Sequence, residues 1–97
     1  MNFDSVLEIV SGISGLRVED LKGFSRKIPL PQYRFLSWYF IKYDLGYSDE
    51  DIAAWSGRDR TTVSYGTHKI SQAFRKPVIR EIVEDYANLK HTYYEGH

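Results

Sequence analysis

The sequence predicts an all-α domain of five to six helices. Apolar residues recur at helical spacing along most of the chain, and no segment shows the apolar–polar alternation of a half-buried strand. Capping residues, glycines and prolines divide this pattern into short segments. The length of 97 residues suits one domain, so we predict a single domain over residues 1–97.

The first two predicted helices are short and lie close together in the sequence. Asn2 or Asp4 can cap the first helix, and Gly15 ends it. A second helix is predicted over Val18–Lys22, because acidic residues occupy its first turn and a glycine follows it.

Two prolines indicate where an extended segment ends and the next helix begins. Pro29 and Pro31 keep the chain before them extended, and Pro31 suits the first position of a longer helix that ends at about Leu45, before Gly46. This helix carries aromatic residues whose spacing assigns them mostly to the core. They are Tyr33, Phe35, Trp38, Tyr39, Phe40 and Tyr43.

Three further helices complete the prediction. The segment from Ser48 to Asp51 is similar to a capping box, and its three carboxylates suit the positive end of a helix that stops near Gly57. Asp59 can cap the next helix. Pro77 ends that helix and begins the last one.

The composition excludes several classes of protein. The absence of cysteine removes disulfides, cysteine-ligated metals and thiol catalysis. No apolar run approaches the roughly 20 residues needed to cross a bilayer, and no signal peptide is recognisable. We therefore expect a cytoplasmic protein without a membrane partner.

The net charge of zero hides an uneven distribution. Residues 22–80 hold eleven Lys and Arg against five acidic residues, whereas residues 1–21 and 81–97 each carry a net charge of −3. A basic centre between acidic ends is compatible with a face that binds a polyanion, and also with charges scattered over a solvated surface.

Residues 48–70 have the pattern of a helix-turn-helix. Such a motif needs a small residue where the helices cross, a glycine in the turn, and an aliphatic residue that fills the angle between the helices. Ala53, Gly57 and Val63 meet these three requirements. A helical hairpin with no role in DNA binding has the same pattern.

The start of the second helix of this motif is unusual. Arg58 and Arg60 flank the capping Asp59, although the dipole at a helix N-terminus disfavours cations. In a helix-turn-helix this end meets base edges, where arginine, carboxylate and threonine side chains can all make specific contacts. Thr61 and Thr62 follow, although residues of this type also cap helices in general.

The segment Gly57–Val63, which reads GRDRTTV, resembles the GRDHSTV or GRDHTTV signature of the DnaA family of bacterial replication initiators. The resemblance extends weakly over about residues 3–90. It implies a Trp-repressor-like, all-helical domain with a helix-turn-helix that binds double-stranded DNA, in replication or transcription regulation.

The resemblance also implies a role for each matching position. It places Arg26 in the minor groove. It implies phosphate contacts by Arg34, Lys42, Arg58 and Thr61. It implies base readout in the major groove by Asp59, Arg60 and Thr62.

Four departures from the family pattern predict a different preferred sequence. Arg60 replaces the histidine of the signature, and the turn is one residue shorter. Asp49 and Glu50 stand where the family usually has Leu-Pro, and anions at that place repel phosphate. The arginine-rich loop is reduced to Arg26 and Lys27.

No catalytic constellation accompanies these features. The sequence lacks a phosphate-binding loop, and its histidines, His68, His91 and His97, are scattered. We therefore expect no enzyme activity, ATPase activity included, and no nucleotide, cofactor or metal.

The alternative function is a protein-interaction module on a decayed helix-turn-helix, favoured by the acidic ends and by exposed aromatics such as Tyr47, Tyr93 and Tyr94.

Overall fold

The part of the chain that the structure describes folds into six α-helices. The computed structural model describes residues 1–96, with side chains through residue 93, so the predictions on Tyr94 and His97 lie outside the described side chains. The helices are α1 (Phe3–Ser14), α2 (Val18–Lys22), α3 (Leu30–Leu45), α4 (Asp49–Ser56), α5 (Arg60–Gln72) and α6 (Pro77–Gly96). A 3₁₀ turn over Ala73–Arg75 joins the last two, and the described residues form no strand. The predicted all-α fold is confirmed.

Side-chain caps begin three of the helices. Asn2, rather than Asp4, caps α1 and accepts a hydrogen bond from the amide of Ser5 over 2.9 Å. Ser48 and Asp51 form the predicted capping box of α4. Asp59 caps α5. These caps occupy amide groups that have no acceptor inside their own helix.

The long helix α3 lies at the centre of the fold and packs against α1, α2, α4 and α5. It begins one residue earlier than predicted, and Pro31 occupies its second position. Trp38 and Phe40 are buried as expected, but Tyr43 is 59% exposed because it lies on the outer side of the helix. The largest fully buried apolar side chains come from five helices. They are Leu7, Leu21, Leu36, Ile41 and Ile52, with Val6, Val10 and Val63.

The segment α4–turn–α5 forms a helix-turn-helix. Gly57 adopts a left-handed conformation at φ 73°, which glycine tolerates without strain, and it ends α4. Ala53 and Val63 are buried where the two helices meet. Farther along α5, Gly66 lies so close to the ring of Phe35 in α3 that a Cβ atom at this position would overlap the ring. Ala53, Gly57 and Val63 thus have the structural roles predicted for the small, glycine and aliphatic positions of the motif.

The two aromatic residues with described side chains that were expected to be exposed contacts for a protein partner also touch the rest of the fold. The hydroxyl groups of Tyr93 and Ser5 lie 3.1 Å apart, which joins α6 to α1. The ring of Tyr47 lies 4.4 Å from the ring of Phe3, and Tyr47 is exposed as expected. Among the described residues, no helix has the length and apolarity to cross a membrane.

Candidate nucleic-acid interface

Asp59, Arg60, Thr61 and Thr62 are all exposed at the N-terminal end of α5. The carboxylate of Asp59 accepts a hydrogen bond from the amide of Thr62 over 2.8 Å. Hydrogen bonds from the backbone and side chain of Thr62 hold the pKa of Asp59 below its ordinary value. Asp59 is therefore a helix cap and an exposed anion at the same time.

Arg60 extends from this end of α5 into solvent. Its side chain is 66% exposed, and its nearest acidic group is the equally open carboxylate of Glu50, 3.6 Å away. Exposed ion pairs of this kind contribute at most about 1 kcal/mol. The guanidinium of Arg60 can therefore leave Glu50 for another partner at little cost.

Asp49 points inward and is neutralised by its neighbours. Ser64 donates a hydrogen bond to its Oδ2 over 2.6 Å. The Nζ of Lys42 donates to the same oxygen over 3.1 Å and lies 3.0 Å from Oδ1, where the geometry does not suit a hydrogen bond. Burial alone raises the pKa of Asp49, but the hydrogen bonds from Ser64 and Lys42 and the charges of Lys42 and Arg60 outweigh it and lower the pKa.

Both anions that depart from the family pattern are therefore paired with cations. Asp49 is paired with Lys42 and Glu50 with Arg60. The repulsion of phosphate expected from these two carboxylates is weakened accordingly. The same pairing means that Lys42, expected to contact phosphate, has Asp49 as its partner in the free protein.

The position of Arg34 argues against the phosphate contact expected for it. Only 5% of the residue is exposed. Its guanidinium donates hydrogen bonds to the carbonyl oxygens of Asp20 over 2.7 Å, Leu21 over 3.0 Å and Ser25 over 2.9 Å. Burial lowers the pKa of Arg34 from its ordinary value, but an arginine stays charged. The contacts of Arg34 are therefore structural, in place of the expected contact with phosphate.

Arg58 is engaged in a similar way and is half-buried. Its guanidinium donates hydrogen bonds to the carbonyl oxygens of Lys22, Gly23 and Ser56, and it stacks 4.1 Å from the ring centre of Phe24. Burial, followed by the charge of neighbouring Arg34, lowers its pKa. These contacts also argue against a free phosphate-binding role, because a phosphate would have to displace them.

The loop of residues 24–27 carries the cation expected in the minor groove. Arg26 and Lys27 are exposed in this loop. The loop lies beside the helix-turn-helix, because Phe24 contacts both Arg58 and the position of Gly57. The structure thus places Phe24, two residues before Arg26, against the turn from which α5 begins.

A groove beside Thr61 adds residues that the sequence reasoning did not assign. It has a volume of about 510 Å³ and is lined on the α5 side by Tyr65 and His68. Tyr65 is 57% exposed and lies near Lys69, whose Nζ is 5.4 Å from the ring centre. The helical spacing from Thr61 to positions four and seven residues later could have identified them.

The described residues contain no group of three or more acidic or histidine side chains suited to a metal.

Comparison with known proteins places this geometry in context. The family profile described as the bacterial dnaA protein helix-turn-helix matches residues 3–70, which is more than two thirds of the chain. The chain is 34% identical, over 74 residues, to the chromosomal replication initiator protein DnaA of Picosynechococcus sp. (strain ATCC 27264 / PCC 7002 / PR-6). The aligned region covers 75% of this chain and 16% of that protein. The chain thus spans about a sixth of the length of this relative.

Proposed function

The chain belongs to the helix-turn-helix family of bacterial DnaA proteins, a family of DNA-binding domains, and on this premise we propose that it binds double-stranded DNA through the start of α5. The observation that carries the proposal is the exposure of Arg60 at the positive end of α5. A cation there opposes the helix dipole, and its weak pair with Glu50 offsets little of that cost. Such a local cost is typical of a functional position.

In the proposed complex, the start of α5 enters the major groove. Asp59, Arg60 and Thr62 then face base edges, where an arginine pairs with guanine, a carboxylate accepts from the cytosine amino group, and a threonine methyl contacts thymine. Because Arg60 replaces the histidine of the family signature, we propose a preferred sequence different from the DnaA box.

Phosphate and minor-groove contacts supply most of the affinity in this proposal. Thr61 is exposed beside the base-reading residues and suits a phosphate oxygen. Lys42 contacts phosphate by exchanging its partner Asp49 for DNA. Arg26 reaches the adjacent minor groove from its exposed loop.

The wider role that we propose is regulation of replication or transcription in the cytoplasm. The matched domain is not catalytic by itself, and we propose that the chain acts without ATPase activity, nucleotide or cofactor. Occupation of a site on DNA is sufficient for such a role, because a bound protein blocks or recruits other proteins there.

The test is fluorescence anisotropy of a labelled random-sequence duplex at several salt concentrations. We expect binding that weakens as salt rises, and loss of binding in the double variant Arg26→Ala/Arg60→Ala. Lys90→Ala is the matched control, because it removes one cation from α6, where Lys90 pairs with Asp44, outside the helix-turn-helix. Equal binding by the wild type and the double variant would contradict the proposal.

A second candidate function is a protein-interaction module. It is favoured by Ile28, which is 90% exposed at a groove of about 420 Å³ whose walls include Pro29, Pro31 and Ile79. Solvated apolar surface of this kind favours protein contacts. Absence of duplex binding at low salt, where non-specific contacts are strongest, would favour this candidate over DNA binding.

A further inference from the structure

Two arginines from different parts of the chain converge on one set of backbone oxygens. The helix α2 has only five residues, and the last carbonyl groups of any helix lack partners inside it. We call the carbonyl groups at its end and just beyond it the carbonyl cluster. Its members belong to Asp20, Leu21, Lys22, Gly23 and Ser25, and each accepts a hydrogen bond from Arg34 or Arg58.

Arg34 holds the two edges of this cluster. It reaches back from α3 to the end of α2 through Asp20 and Leu21, and forward to the loop through Ser25. Ser25 directly precedes Arg26 in the sequence. The buried guanidinium thus determines where the chain stands one residue before the cation proposed to enter the minor groove.

Arg58 joins the same cluster to the turn of the helix-turn-helix. It donates to Lys22 and Gly23, which precede it by 36 and 35 residues, and to Ser56, the last residue of α4 before the turn. Its planar group also covers the ring of Phe24, two residues before Arg26. The loop is therefore attached to the turn from which α5 begins.

We propose that Arg34 and Arg58 are positioning residues, which hold the loop of residues 24–27 in one place relative to α5 so that Arg26 and α5 engage DNA together. The inference rests on the proposed function. A loop that is already ordered loses less conformational entropy on binding, so its contacts yield more affinity. The two arginines act through Arg26 and make no contact with DNA in this proposal.

The chemistry of the guanidinium separates this role from a direct phosphate contact. A lysine can bind a phosphate as a point charge. The carbonyl cluster and the ring of Phe24, by contrast, need a planar group with several fixed donors. Arg58→Lys therefore keeps the charge and removes the positioning. Arg17→Lys is the matched control, because the exposed Arg17 pairs with the side chain of Asp20, which a lysine can also do.

The experiment is a double-mutant cycle on duplex binding with Arg58→Lys, Arg26→Ala and the combined variant. We expect each single change to weaken binding about tenfold and the combined variant to bind like Arg26→Ala alone, because both remove the same contact. Arg17→Lys should bind like the wild type. Unchanged binding by Arg58→Lys, or losses that multiply in the combined variant, would overturn the inference.

A measurement without DNA keeps the inference testable by itself. Trypsin cleaves after Arg26 and Lys27, and a held loop resists cleavage more than a loose one. We expect Arg58→Lys and Arg34→Met to be cut in this loop at least several times faster than the wild type, at a temperature where thermal unfolding shows each variant still folded. Equal rates would overturn the inference. Failure of the wild type to bind any duplex, with the loop protected as expected, would refute the proposed function instead.

Discussion

The close approach of α5 to α3 at Gly66 supports a quantitative prediction for Gly66→Ala. A Cβ atom at this position would lie 2.5 Å from Cδ1 of Phe35 and 3.0 Å from two other atoms of the ring. Carbon atoms in favourable contact are about 3.5–4.0 Å apart, so the ring or the helix must retreat by about 1 Å. Overpacking of this kind costs about 1–3 kcal/mol.

A gain in helix propensity opposes that cost. Alanine is more favourable than glycine inside a helix by about 1 kcal/mol. The net effect of Gly66→Ala is therefore a loss of about 1 kcal/mol, which lowers the midpoint of thermal unfolding by about 4–8 °C in a domain of this size. Because the strain displaces α5, we also expect weaker duplex binding.

The assay is urea denaturation followed by circular dichroism. Gly12→Ala is the matched control, since a Cβ at Gly12 in α1 meets nothing within 4 Å. This control should gain about 0.5–1 kcal/mol. Combining Gly66→Ala with Phe35→Ala should cost less than the sum of the two separate losses, because alanine lacks Cγ, Cδ1 and Cε1, the three ring atoms nearest the new methyl group. Stabilisation by Gly66→Ala equal to that of Gly12→Ala would refute the reasoning.

Substitutions at three further positions test the interface. Asp49→Asn should lower stability at pH 7, and the loss should shrink as the pH falls below about 4, because a carboxylate with a lowered pKa stabilises the fold above its unfolded pKa and loses this effect as the pH falls through its folded pKa; a difference independent of pH, measured by urea denaturation, would contradict this. Asp59→Ala should lower the thermal midpoint while Asp59→Asn, which still caps α5, should not, and both should change the DNA sequence selected from a random pool; loss of stability in both variants would argue against the cap. Arg60→Ala should relax sequence choice at one base pair by about 1–3 kcal/mol, and selection of the same site as the wild type would exclude base readout by Arg60.

Local interactions explain why much of the fold was predictable. The caps Asn2, Ser48 and Asp59 bond to amides three residues away, so their partners can be read from the sequence. Gly57 ends α4 because only its own backbone conformation is involved. The exposure of Asp59 and Arg60 was also predictable, because both residues lie at the start of α5. Roles of these two residues on DNA stay predictions.

The roles of the charged residues depended instead on contacts between distant segments. The resemblance to the family implied that Arg34 and Arg58 contact phosphate, but both guanidiniums bind carbonyl oxygens of residues that are 9–36 positions away in the sequence. Asp49 was expected to repel DNA, yet Lys42, seven residues away, pairs with it. A sequence shows that a charge is present, and it does not show which backbone or side chain folds against that charge.

The sequence by itself therefore determined the helices, the turn at Gly57 and the family, because hydrophobic period, capping and the GRDRTTV segment are local properties. Only the tertiary structure decided which cations remain free. Burying an arginine requires that its donors find acceptors, and those acceptors become available only when the end of α2, the loop of residues 24–27 and the helix-turn-helix come together. For this reason Arg26 and Arg60 are exposed, whereas Arg34 is buried and Arg58 half-buried against carbonyl oxygens.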